Sequence, residues 1–287
     1  MIPIVMSHLT ILKKNEVYLQ IESEPHVFYE LSDQFTFELP GAKFMPQYRN
    51  RYWDGKIRLF NINNGQIYVG LLDKIKKFCD DHGYSYSFVD NEYYGTPFEV
   101  NEHISYEGVK DYITSISKYA PREYQIEGVF DALRHNRRLL ISPTASGKSL
   151  MIYSIVRYYV ERGENTLIVV PTTSLVEQMY KDFADYGWDV GSFCHKIYAG
   201  KERETDSQVI ITTWQSIYKL PRKYFKRFSV VIGDEAHQFK SKSLISIMTK
   251  LDHAKYRFGF TGTLDGTQTH KWVLEGLFGP SYKIIGT

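Results

Sequence analysis

Arg138–Ser149 reads RLLISPTASGKS, a short apolar run that passes through small residues straight into Lys148 and Ser149. The run 138–141 has the length of a buried strand, and the apolar stretch from Ser149 to Arg162 has the length of a helix. A strand turning into a helix through small residues gathers backbone N–H groups and a helix N-terminus around one point, where an anion is held. Thr144, Ala145, Ser146, Gly147, Lys148 and Ser149 therefore form a candidate phosphate loop. In such a loop the lysine reaches the β- and γ-phosphates of a nucleotide and the hydroxyl of Ser149 takes Mg²⁺. The full pattern has glycine six residues before the lysine; Ser142 stands there, and Ala145 fills another position where glycine is common. The same residues also suit a plain strand, turn and helix capped by Ser149.

Further apolar runs flank this one at 166–170 (TLIVV), 208–211 (QVII), 229–232 (SVVI) and 257–261 (RFGFT). Continuous apolar strands alternating with helices predict an α/β unit with a parallel sheet covered on both faces. At the end of the 229–232 run stands VVIGDEAH, residues 230–237. Asp234 there suits the Mg²⁺ that Ser149 also contacts, and Glu235 suits the polarisation of a water attacking the γ-phosphate. Two acids favoured by a helix N-terminus are the plainer account. Asp234 follows Lys148 by 86 positions, each after its own apolar strand, and the pair points to ATP hydrolysis with Lys148, Asp234 and Glu235 as catalytic residues.

Residues 118–287 resemble the first RecA-like domain of superfamily 2 helicases of the DEAH type. The resemblance is carried by PREYQ (121–125), the phosphate loop, VPTTSLV (170–176) with Gln178, TTWQS (212–216), DEAH (234–237) and TGT (261–263). It implies that Arg122 and Gln125 contact adenine, and that Pro171, Thr172, Thr173, Thr213, Trp214 and Gln215 lie along a nucleic-acid track. It implies also that His237, Thr261 and Thr263 relay the nucleotide state to that track.

Residues 1–95 have another rhythm, a small α+β module. Strands are predicted at 16–21, 35–39 and 84–89, with helices at 25–35 and 73–82 and a loop over 41–54. A hairpin is predicted from 56–60 and 66–69 around the Asn-Gly signal at Asn64 and Gly65. Within it, Lys43–Arg58 carries five basic residues against one acid, interleaved with Phe44, Tyr48, Tyr52 and Trp53. Lys43, Arg49, Arg51, Lys56 and Arg58 suit phosphates while Tyr48 and Trp53 suit unpaired bases. A solvated loop whose aromatics cover a small core is the alternative. This segment, with the hairpin and helix after it, is similar to the N-terminal domain of UvsW-type recombination helicases of bacteriophages. That resemblance implies ATP-driven remodelling of branched or forked DNA, Holliday junctions and RNA–DNA hybrids such as R-loops. Residues 96–117 read as a linker with a short helix near 109–117, and 118–287 as the RecA-like unit. A second basic stretch, 219–227, suits either nucleic acid or a solvated face.

Charge divides along the same line: the first 100 residues are net −3 and the remaining 187 net +5, within a total of +2 that excludes a histone-like polycation. A hydrophobic content of 43% in 287 residues is enough for a real core in two domains. Cys79 and Cys194 are 115 positions apart without a Cys/His cluster, which argues against structural zinc and a secreted disulfide framework. No run of about 18 apolar residues exists, so a soluble, cytoplasmic protein with no membrane partner is expected, in the host cytoplasm if viral. The resemblance also implies a second RecA-like domain that supplies arginines to the transferring phosphoryl group. None is visible after Thr263, so the 287 residues are expected to bind ATP and DNA but to turn over slowly alone. A P-loop enzyme acting on a small molecule and a non-catalytic DNA-binding fragment remain as alternatives.

Overall fold

Strict alternation of apolar and polar side chains builds the first unit, which takes in residues 1–97 together with 265–276. The computed structural model describes residues 7–97, 99–143, 146–198, 205–238, 241–262 and 268–284. Strands β1 (His8–Lys13) and β2 (Tyr18–Glu22) pair antiparallel with Ile11 opposite Ile21, burying Leu9, Ile11, Leu19 and Ile21 on one face. Helix α1 (Pro25–Gln34) opens on proline, whose fixed φ suits the first turn, and buries Val27 and Leu31. There follow β3 (Thr36–Glu38), α2 (Pro46–Arg49), β4 (Lys56–Arg58), β5 (Gln66–Tyr68), α3 (Leu72–His82) and β6 (Ser85–Val89). The main sheet runs β5-β2-β1-β6, with β6 parallel to β1. Helix α3 stops at Gly83, whose φ of +70° favours glycine, and the N–H of Tyr84 closes on the Cys79 carbonyl at 2.8 Å. Residues 268–276 join this unit through Trp272, whose ring lies 5.3 Å from Phe35 and 5.0 Å from Phe37, and through a 2.8 Å ion pair of Glu275 with Lys74.

Three expectations for this unit change. The Asn-Gly turn forms, with the Gly65 N–H on the Asn61 carbonyl at 2.8 Å, but its arms do not pair as a hairpin beyond the Asn61–Gln66 bridge. Instead β4 pairs with β3 (Ile57 opposite Phe37) and β5 with β2 (Ile67 opposite Leu19). The cause is charge: Lys56 and Arg58 flank a single apolar residue, and only the separate two-stranded sheet leaves both exposed. The 41–54 loop holds a 3₁₀ turn at Ala42–Phe44 and helix α2, which Pro46 starts. Strand β1 had no counterpart in the sequence reading.

The second unit covers residues 98–264 and 277–287. Its elements are α4 (Tyr106–Ile116), α5 (Glu123–His135), β7 (Arg137–Ile141), α6 (Lys148–Val160), β8 (Thr166–Val170), α7 (Thr173–Asp185), α8 (Val190–Phe193), β9 (Cys194–Ile197), β10 (Val209–Thr213), α9 (Trp214–Ile217), α10 (Arg222–Phe225), β11 (Val230–Gly233), α11 (Ser241–Lys250), β12 (Tyr256–Thr261), α12 (Gln268–Phe278) and β13 (Ser281–Lys283). Seven strands lie in the order β13-β7-β12-β11-β8-β10-β9, every pair parallel. β8, β10 and β11 are buried at every position, as strands covered on both faces must be. All five strands expected in this unit are present; the edge strands β9 and β13 were not foreseen, because edges carry mixed polarity. Within the segment read as a linker, α4 is capped by Ser105 and buries Val109 and Ile113 in this unit's core. Both cysteines are buried and free, and burial pushes their thiols up, Cys79 to about 11 and Cys194 to about 12. Among the described residues no helix is long and apolar enough to cross a membrane.

Candidate functional site

Parallel pairing brings the carboxyl ends of β7, β12, β11, β8 and β10 side by side along one edge of the second sheet, and the motifs sit on those ends. After β7, the Ser142 N–H bonds the Thr261 carbonyl at 2.9 Å, joining the start of the loop to the end of β12, and the buried Ser142 and Ser146 hydroxyls bond each other. The serine in place of glycine thus makes a contact within the loop that glycine lacks. Gly147 precedes α6 at φ +72°, and a Cβ there would stand 2.4 Å from the Gln125 amide nitrogen. Ser149 does not cap α6, since the cap position is Gly147; its hydroxyl lies 2.7 Å from the Tyr186 hydroxyl. Thr144 and Ala145 lie outside the described residues, as does Thr263.

After β11, the Asp234 N–H bonds the Val169 carbonyl at 3.0 Å. Glu235 adopts φ +49°, a left-handed conformation costing a non-glycine residue about 1 kcal/mol. Two bonds offset it: the Glu235 N–H to Asp234 Oδ1 and the Gln238 N–H to the Glu235 carbonyl, both 2.9 Å. The turn sends the Glu235 carboxylate onto Lys148 Nζ in an ion pair that is largely buried. His237 Nδ1 is 2.8 Å from the Thr261 hydroxyl and 3.5 Å from Glu235, so the histidine, the glutamate and the end of β12 form one network. Gly147, Lys148, Ser149, Asp234 and Glu235 line one cavity of about 230 Å³, with Leu175, Gln178, Met179 and Asp182 opposite. Asp182 and Tyr186, at the end of α7, had no motif to announce them.

Burial pushes the Asp234 carboxyl up to about 6, against the attraction of Lys148 and with the repulsion of Glu235. Between pH about 4 and 6 the folded chain keeps a proton that the unfolded chain releases, so this group's contribution to stability falls as pH rises through that window. Ionised, it costs on the order of 2–3 kcal/mol. Asp234→Asn is expected to be more stable than the parent at pH 7.5 in EDTA, with the gap closing toward pH 4. Urea unfolding at both pH values measures it; an equal gap at both would remove the desolvation argument.

Arg122 and Gln125 come to the same loop. Gln125 is buried, its Oε1 taking the Arg122 N–H at 2.9 Å and its Nε2 donating to the carbonyls of Ser146 and Gly147 at 3.1 and 3.2 Å. Tyr124, which the sequence reading passed over within its own motif, donates to the Ser146 carbonyl at 2.9 Å and receives Arg122 at 3.0 Å. The Gln125 carboxamide is thus committed to holding the loop.

On the β8 and β10 ends, Thr172 caps α7 and its neighbour Thr173 is exposed, while Gln215 Nε2 donates to the Pro171 carbonyl at 3.3 Å. Thr213 bonds Ser216 at 2.9 Å, and Trp214 packs on Tyr218. In the 219–227 stretch Arg222 pairs with Asp252, and Arg227 holds the carbonyls of Thr205 and Ser207. Those two cations are used within the fold.

The first unit carries an open cleft of about 630 Å³ lined by Lys43, Tyr48, Arg49, Arg51, Tyr52, Trp53 and Asp54. Tyr48 and Trp53 are half-buried, with Trp53 Nε1 anchored on the Lys56 carbonyl at 2.9 Å; Phe44 and Tyr52 are exposed. Arg58 pairs with Asp54, holding that carboxyl down to about 2, whereas Lys43, Arg49, Arg51 and Lys56 are exposed.

Fold and strand-end motifs define a RecA-like domain of helicase superfamily 2 carried with a small α+β domain. The chain belongs to the family described as "Type III restriction enzyme, res subunit", whose model matches residues 118–266. Residues 9–90 match the model described as "DNA helicase UvsW, N-terminal". The chain is 34% identical over 281 residues to the ATP-dependent DNA helicase uvsW of Enterobacteria phage T4, covering 94% of this chain and 55% of that protein. To the DNA 3'-5' translocase XPB2 of Sulfurisphaera tokodaii it is 31% identical over 163 residues, 55% of this chain and 34% of that one. A crystal structure of the UvsW helicase from bacteriophage T4 superposes with a TM-score of 0.85 at 33% identity, covering 96% of this chain and 99% of that chain. A second T4 UvsW structure gives 0.87, covering 97% and 57%. The chain spans about half the length of the T4 protein it matches.

Proposed function

We propose that the protein is the substrate-recognition and ATP-binding part of an ATP-dependent DNA helicase that remodels branched DNA, namely forks, Holliday junctions and R-loops. The observation that carries this reading is the single cavity lined by Gly147, Lys148, Ser149, Asp234 and Glu235 at the carboxyl ends of β7 and β11. The DNA side rests on the named activities of the relatives and on the basic, aromatic cleft of the first unit.

Lys148 leaves Glu235 for the β- and γ-phosphates, and the freed Glu235 carboxylate takes up a water and accepts its proton as the water attacks. One buried carboxylate and one loop hydroxyl, Asp234 and Ser149, fit a hard cation that completes its shell with phosphate and water oxygens. Mg²⁺ held there would neutralise charge on the phosphates. Arg122 and Gln125 recognise adenine beside the loop, and His237 with Thr261 passes the state of Glu235 to β12. Pro171, Thr172, Thr173, Thr213, Trp214 and Gln215 carry the DNA strand, while residues 1–95 read the junction through Tyr48 and Trp53 stacking and Lys43, Arg49, Arg51, Lys56 and Arg58 on phosphates. A second RecA-like domain closes on ATP and contributes an arginine worth about 10³–10⁵ in rate, so a polypeptide of these 287 residues alone turns over slowly. The setting is the cytoplasm.

ATP turnover by the chain with and without forked DNA tests the reading. A rate raised several-fold by forked DNA is expected. A rate indifferent to DNA points to a P-loop enzyme of small molecules, and DNA binding without nucleotide binding points to a non-catalytic fragment.

A further inference from the structure

Ser149 is already engaged, and by the helix whose other end carries the DNA-track residues. Its hydroxyl lies 2.7 Å from that of Tyr186 and bonds the Asp182 carboxylate, which lines the same cavity. A carboxylate only accepts, so Ser149 donates to Asp182 and Tyr186 donates to Ser149. The serine lone pair that meets the Tyr186 proton is then taken from any cation. Tyr186 is itself fixed, with its ring 5.0 Å from Tyr153 and edge-on to Tyr119 at 5.9 Å, and its N–H on the Asp182 carbonyl at 2.9 Å. Asp182 lies in α7 and Tyr186 immediately follows it. That helix begins at Thr173, is capped by Thr172, and spans 13 residues, about 20 Å. A rigid helix of that length transmits a small shift at one end to the other.

We propose that Asp182 and Tyr186 are positioning residues that hold the Ser149 hydroxyl away from the metal position until a DNA strand on Thr172 and Thr173 shifts α7 and releases it. The inference rests on the reading above. It adds to that reading a reason why nucleotide binding should sense DNA before any second domain takes part. Nothing in it needs the two units to move relative to each other, because Thr172, Asp182, Tyr186 and Ser149 all belong to the second unit.

The test uses the full chain and the fluorescent nucleotide N-methylanthraniloyl-ADP, titrated in EDTA and in Mg²⁺, with and without oligo-dT. The ratio of the two affinities is the gain from Mg²⁺. Tyr186→Phe removes one hydroxyl; losing one neutral hydrogen bond is expected to raise that gain about fivefold without DNA, leaving the EDTA affinity unchanged. Oligo-dT is expected to raise the gain of the parent protein to the variant's level and to leave the variant's gain where it is. Asp182→Asn is expected to move the gain in the same direction. Thermal unfolding of the nucleotide-free variants, expected within about 4 °C of the parent, separates release from misfolding. A gain in folded Tyr186→Phe equal to the parent's, or a parental gain indifferent to oligo-dT, overturns the proposal. Lys148→Ala separates the two levels. If it binds the probe as the parent does, the nucleotide site falls and this inference with it; if it loses the probe while Tyr186→Phe matches the parent, only the latch falls.

Discussion

Lys148→Ala is expected to lower the turnover number for ATP by about 10²–10³-fold while leaving the fold in place. Two effects combine. The substitution removes the cation that stabilises charge on the transferring phosphoryl group, and it also strips a counter-charge from the two acids beside it. Glu235 loses its ion-pair partner, and Asp234, already raised to about 6 by burial, loses the one nearby charge that draws it down. Its carboxyl moves further up and carries less negative charge at neutral pH, so the position that suits a cation weakens along with the phosphate grip. Lys148→Arg keeps the charge but not the compact point geometry, and an intermediate rate is expected. A coupled assay with forked DNA present measures both, and circular dichroism checks the fold. A Lys148→Ala rate within twofold of the parent would remove the assignment of this cavity to hydrolysis.

The second unit was legible because its signals are redundant. Each buried parallel strand must be apolar on both faces, so four or five consecutive apolar residues announce it without periodicity, and all five such runs became strands. The phosphate loop and DEAH follow two of those strands, and the structure brings Lys148 and Glu235 into contact across 87 positions, which the motif logic requires. What remained hidden was whatever depends on one side chain finding a distant partner. Tyr124 on the loop carbonyl, Tyr186 on Ser149 and the pairing of β4 with β3 carry no periodic or motif signal. The hairpin expectation failed for an instructive reason. An Asn-Gly turn specifies how the chain reverses, but pairing beyond the turn depends on whether both arms can bury a face, and Lys56-Ile57-Arg58 cannot.

The first-unit cleft shows the same limit from the functional side. Its basic and aromatic residues were read from composition alone, and the fold sorts them. Arg58 is spent on Asp54, Trp53 is pinned by Lys56, and Lys43, Arg49 and Arg51 remain exposed on the cleft beside Tyr52. Arg51 sits at φ +60°, within a turn that the loop reading could not specify.

Arg257 is where the same blindness has the largest consequence for stability. The sequence reading recorded it as the first residue of an apolar strand, yet it is fully buried on β12. Its guanidinium donates to the carbonyls of Met248 and Leu251 at 2.9 Å and of Leu277 at 2.8 Å. Those carbonyls lie at the C-terminal ends of α11 and α12, where helices leave acceptors unpaired and where the helix dipole favours a cation. One planar fork therefore satisfies two helix ends at once, which a point charge on a lysine stem cannot do. Arg257→Leu fills similar space but leaves three buried carbonyls without this donor, at a cost of about 3–5 kcal/mol. Against a typical total of about 5–15 kcal/mol, that is enough to unfold much of the protein at 37 °C. Arg257→Lys is expected to recover less than half of the loss, since an ammonium keeps the charge but not the fork. Urea unfolding of the three proteins measures both differences. A loss under about 1 kcal/mol in Arg257→Leu would show that other donors reach the helix ends. The expected loss would extend to the nucleotide cavity, because β12 ends at Thr261, whose carbonyl holds Ser142 and whose hydroxyl holds His237.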